Sequence, residues 1–182
     1  MTTIPRTLKP DGVTTLKAET RAAREATYQV EVKLRPEYPD AAGAEALSLL
    51  SEAGLNTAKT VRVSQIYEIK GPLNNGHIQQ AARELLCDNV TQEFRIAANV
   101  PVLNGMNYWR VEVWLKATVS DPVGETVLQA ISELGLPAPQ SVRRGLVYHI
   151  SGKCGRNHIE KAAQRCLINP VIHRFTVSEA HS

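Results

Sequence analysis

The sequence predicts an α+β protein in which one small domain is written twice: two tandem βαββαβ units, antiparallel sheets with helices on one face. Three observations predict it. Residues 28–97 can be laid on residues 109–178 at a constant offset of 81 with no gap, giving about 23 identities in roughly 70 positions. In both copies, runs of alternating apolar and polar residues flank segments whose apolar residues recur at helical spacing. Glycines also punctuate the two copies at matching places, Gly54 with Gly135 and Gly71 with Gly152.

The elements follow in order. Tyr28, Val30, Val32 and Leu34 alternate with Gln29, Glu31, Lys33 and Arg35, a half-buried strand that residues 109–116 repeat. A turn ending in glycine comes next (PDAAG, then DPVG). A helix then carries Leu47, Leu50 and Ala53 on one face and stops near Gly54; its twin carries Val127, Ile131 and Leu134 and stops near Gly135. Two short β-prone runs follow, Ala58–Val63 and Gln65–Lys70, matched by Gln140–Arg143 and Leu146–Ser151. The spacing of Ile78, Ala82 and Leu85, matched by Ile159, Ala163 and Cys166, predicts a second helix. A last strand alternates Val90, Gln92, Phe94 and Ile96, matched by Val171, His173, Phe175 and Val177. A core built from one such copy is marginal by itself. Trp114 and Val147 are apolar on faces that would be polar in an isolated sheet, so they are assigned to packing between the copies.

This organisation gives a polar N-terminal arm at 1–27, a first domain at 28–97, a linker at 98–108, a second domain at 109–178 and a tail at 179–182. The arm is Thr-rich with Pro5 and Pro10, and is expected to be disordered or semi-helical around Thr14–Glu25. The linker holds Pro101 and an Asn104-Gly105 turn. Hydrophobic residues make up 43% and charged residues 21%, a globular balance. No run approaches the roughly 20 apolar residues of a membrane helix, and no apolar secretory signal is expected at the start. A net charge of +3 is too small and too scattered to suggest nucleic acid. Three cysteines, Cys87, Cys154 and Cys166, do not suggest a disulfide framework, so a reducing cytoplasm is the expected setting.

No Ser/His/Asp or Cys/His arrangement appears, and no catalytic, cofactor-binding or metal residue is assigned. Gly152-Lys153 lacks the spacing and the Ser/Thr of a phosphate loop. Cys154, His158 and Cys166 lack the paired spacing of a zinc site. Asp40 and Asp121 recur ahead of the first helix of each copy, with Gly43 and Gly124 three residues on. A capping or Asx-turn carboxylate is the expected role, with the glycines serving the turn. Arg62 and Arg143 also recur, and Arg144 follows the second of them. Arginine suits fork-like contacts with carboxylate or phosphate, so these three, with the recurrent Tyr67 and Tyr148, are candidates for partner or inter-copy contacts, with anion binding or a solvated arginine as the other readings. Paired RNA-recognition modules share the βαββαβ order but place aromatics on their central strands. Here only Arg144-Gly145 fits the opening of that motif, and aromatics are 5% of the chain.

The recurring words resemble the PurS family, a subunit of phosphoribosylformylglycinamidine synthase. In the second copy these are VEVWLKATVSDPVGETVLQAISELGL, SVRRGLVYHISG and CLINPVIHRFTV; in the first, YPDAAG, VRVSQIYEIKG and ELLCDNVTQEFRI. Leu146 stands where the family usually has lysine, and Ser64 where it has glycine. The resemblance implies two PurS-like domains and a non-catalytic subunit of a ligase complex. That subunit would join a PurL-type synthetase, which uses ATP, and a PurQ-type glutaminase. It would support assembly and ammonia transfer in purine biosynthesis, with self-association possible and no nucleic acid or membrane partner. Family chains are usually single domains that pair, so two readings stay open: a fused pair, or a piece of a larger protein. A small-molecule-sensing or RNA-binding tandem module is the alternative function.

Overall fold

The computed structural model describes residues 25–97 and 108–180. Most of the expected arm, including its helix-prone stretch, and nearly all of the linker lie outside these residues. The elements run β1 (Ala26–Leu34), α1 (Ala41–Glu52), β2 (Ala58–Gly71), α2 (Asn75–Ala81), β3 (Gln92–Ala97), β4 (Tyr108–Leu115), α3 (Pro122–Glu133), β5 (Ser141–Gly152), α4 (Arg156–Cys166) and β6 (His173–Ala180). A π-helical turn, Ala82–Leu86, extends α2.

The strands form one six-stranded sheet in the order β3-β1-β2-β5-β4-β6. Every pairing is antiparallel. The α+β class and the duplication stand as the sequence predicts, and the two copies share a single sheet. The two β-prone runs of each copy are joined in one long strand, of 14 residues in β2 and 12 in β5. Ser64 and Gly145 sit where a break was expected. No turn is needed there, because backbone groups pair with β1 or β4 on one side and with the other copy on the other. The predicted last strands start later than expected. Val90 and Val171 are 72% and 76% exposed and lie in turns ahead of β3 and β6. Their N–H groups donate to Asp88 Oδ1 at 2.9 Å and Asn169 Oδ1 at 3.0 Å, so Asx-turns override the alternation.

The register of β2 on β5 carries the symmetry of the molecule. Gln65 and Leu146, equivalent in the repeat, face each other. Val61 faces Ile150 and Ile69 faces Val142, again with equivalents exchanged. A local two-fold therefore passes through the Gln65–Leu146 pair.

The helices cover one face of the sheet and cross the boundary between copies. Ala46 and Leu50 of α1 pack with Val111, Ile150, Ile159 and Ala163 of the second copy. Ile131 of α3 packs with Val30, Ile69, Ile78 and Ala82 of the first. Each cluster thus needs a helix from the opposite copy. Burial of this kind contributes about 25 cal/mol per Å² of apolar surface. On the other face Ile66, Trp114 and Val147 form a third buried cluster, joining both copies as expected for the latter two. Trp114 fits because position 145 is glycine: a Cβ there would lie 2.8 Å from its ring. Helix α1 ends in a Schellman-type turn, with the Gly54 N–H bonded to the Ser51 carbonyl and Leu55 to Leu50, both at 2.9 Å. Gly54 has φ of 98°, which a side chain would oppose.

Exchanged helices make the two copies one cooperative unit. Ile131→Ala should lower stability by about 2–5 kcal/mol. Unfolding in urea should remain one transition, with tryptophan fluorescence and far-UV circular dichroism coincident. Two separated transitions would show that the copies fold independently.

Candidate functional site

The two recurrent aspartates fasten helices to central strands. Asp40 Oδ1 accepts from the Gly43 N–H at 2.8 Å, capping α1, and Oδ2 accepts from the Val63 N–H at 2.7 Å. Asp121 repeats this with Gly124 at 2.9 Å and the Arg144 N–H at 2.6 Å. A carboxylate fits both tasks because the freed N–H groups of a helix start demand acceptors. Gly43 and Gly124 pass against the Val61 and Val142 carbonyls, which a Cβ would meet at 2.3 and 2.5 Å.

The recurrent arginines tie down the same loops. Arg62 donates to the carbonyls of Leu34 at 3.0 Å, Arg35 at 3.1 Å and Tyr38 at 3.3 Å, with its Nε 3.7 Å from Asp40. Arg143 donates to the Leu115 carbonyl. Both therefore bind within the chain. Arg144, one residue on, lies in a groove on the helix-bearing face beside the local two-fold.

Two cavities, of about 520 and 170 Å³, meet along that groove and share Arg144, Leu146, Tyr148 and Leu167. Tyr67 faces Arg144 across the seam, and its hydroxyl donates to Gln65 at 2.7 Å. Burial raises the pKa of both Tyr67 and Tyr148, and the Arg144 charge opposes that rise. The structure thus brings Tyr148 and Arg144 into one groove, sets Tyr67 opposite Arg144 at the seam, and gives Arg62 and Arg143 to the loops.

Sequence reasoning missed a buried ionic network on the opposite face. Glu31 Oε2 meets Arg110 at 2.6 Å, and Oε1 lies 2.7 Å from His149 Nε2 and 2.5 Å from the Ser64 hydroxyl, which donates to it. Arg110 Nε donates to Glu112 Oε1 at 2.7 Å, and Trp114 Nε1 to Glu112 Oε2 at 3.2 Å. Glu31 and Glu112 are equivalent in the repeat, so Arg110 bridges two copies of one glutamate across the seam. Glu31 and Arg110 are 7% and 3% exposed. Burial pushes the Glu31 carboxyl up, but the hydrogen bond from His149 and the Arg110 charge outweigh it and hold its pKa at about 2. For Arg110 burial works against the charge, and the two glutamates more than offset it. The one sequence signal was the recurrence of Glu31 and Glu112 on the polar side of alternating strands.

A family model described as PurS: Phosphoribosylformylglycinamidine (FGAM) synthase matches the chain twice, over residues 27–99 and 108–180. The chain belongs to the PurS family. It belongs with that family to the FGAM synthase system of purine biosynthesis. A comparison with curated proteins found no match. In this PurS tandem, no group of three or more His, Cys, Asp or Glu side chains could hold a metal among the described residues. Among the same residues, no helix is long and apolar enough to cross a membrane.

The Glu31 network makes the stability of this PurS tandem depend on pH. A carboxyl held at about 2 when folded, against 4.5 ordinarily, stabilises the fold above pH 4.5. That contribution is lost as pH falls from 4.5 through about 2. Glu31→Gln should cost about 1–3 kcal/mol at neutral pH, because it leaves Glu112 alone to balance the buried Arg110 and removes a charge-assisted hydrogen bond. Urea titrations should show the gap between wild type and variant narrowing on acidification. A gap constant with pH would exclude the ionised Glu31.

Proposed function

We propose that the chain is the structural, bridging subunit of a glutamine-using, ATP-dependent FGAM synthase. It would stand between a PurL-type synthetase and a PurQ-type glutaminase, supporting assembly and ammonia transfer and contributing no catalytic residue. The carrying observation is the pairing of two PurS matches through equivalent strands, β2 and β5, into one sheet. PurS chains of the usual kind are single domains that pair, so this chain supplies both members of a pair covalently. Arg144 and Tyr148 in the groove, with the outer faces of Arg62 and Arg143, are the proposed partner contacts, while Tyr67 serves the seam. A cytoplasmic location accords with the three free cysteines.

Glutamine-dependent amidation by PurL and PurQ from the same source should depend on added chain, and the three should co-elute. Light scattering should give one chain where single-domain relatives give a pair. A PurL–PurQ couple that neither needs nor binds the chain would remove the bridging role.

A further inference from the structure

The groove at the local two-fold contains a cation whose hydrogen bonding the fold leaves incomplete. The Arg144 Nε–H is buried and has no partner. A buried donor without a partner is costly, so its place calls for an explanation. The repeat does not demand it, because the equivalent residue of the first copy is Val63. Nor do the nearby acids answer it. Asp40 and Asp121 both give their two oxygens to backbone N–H groups.

Both cavities open onto this arginine, and the larger has about 520 Å³, within the ordinary range for small-molecule sites. A guanidinium fork suits a bidentate contact with a carboxylate or a phosphate. Asp40, Glu45 and Lys33 line the larger cavity and Asp121 the smaller, so the charge around Arg144 is mixed and suits a monoanion better than a dianionic phosphate. Leu34, Leu146, Leu167 and Tyr148 provide apolar walls. We propose that the groove binds a small carboxylate with an apolar body, its carboxylate held by Arg144 and its body lying against Leu146 and Tyr148. The site shares Arg144 and Tyr148 with the proposed partner contacts, but it is read on the chain alone, so its failure leaves the bridging role standing.

Arginine Nε–H NMR on the full chain tests it, with benzoate, its neutral analogue benzamide and inorganic phosphate as probes. Arg144→Lys assigns the resonance by its loss. Millimolar benzoate should shift the Arg144 signal saturably and benzamide should not. Arg144→Met should bind benzoate roughly 10- to 100-fold more weakly and keep the melting temperature of the wild type. The wild-type arms decide alone if that variant fails to fold. No shift with benzoate, an equal shift with benzamide, a stronger response to phosphate, or unchanged affinity in Arg144→Met would each overturn the proposal.

Discussion

The antiparallel pairing of β2 with β5 is the constraint on which the rest of this molecule depends. These strands are the longest among the described residues, and each is the inner edge of its own three-stranded copy. Joining them pairs the edge that each three-stranded half would otherwise leave open and places equivalent residues face to face about one axis. It also sets the distance over which helices can reach. Helix α1 and helix α3 each sit near the start of a central strand, and there the paired strand belongs to the other copy. Their apolar faces therefore close the other copy's core. A single copy would leave both an open edge and an unfilled cluster.

Symmetry of the backbone does not make the two halves chemically alike. Glu31 and Glu112 occupy equivalent places, but one arginine, Arg110, serves both. Ser64 donates to Glu31, while the equivalent Gly145 leaves room for Trp114. A buried network of this kind is a weak source of net stability, because desolvating the charges offsets much of their attraction. It is strict about geometry, since each partner must sit within hydrogen-bond distance. In this chain the network spans the seam, linking Glu31 and Ser64 of one copy with Arg110 and His149 of the other.

The same asymmetry appears on the helix-bearing face. Val63 and Arg144 are equivalent, and only the second brings charge to the groove. Duplication within one chain permits this, because equivalent positions of the two copies are encoded separately. A tandem chain of the PurS family can keep the two-fold arrangement of its copies and vary one side of it.

Much of this was written in the sequence. The offset of 81 residues exposed the duplication, the alternation of Val30, Val32 and Leu34 exposed the strands, and Asp40 with Gly43 marked a helix start. These are local signals, because side-chain direction and cap chemistry follow from a few neighbouring residues. The continuous β2 and β5 were hidden. Ser64 and Arg144-Gly145 weaken the local strand pattern, and only partners on both sides make an unbroken strand the better state. The ionic network was hidden for the same reason: Glu31, Arg110 and His149 are separated by 79 and 118 residues in the pairs they make, and no spacing rule connects them. The sequence by itself determined the units, their number and their family. Tertiary structure alone decided that they share one sheet, exchange helices and bury a charge between them, because those choices depend on which surfaces meet across the seam.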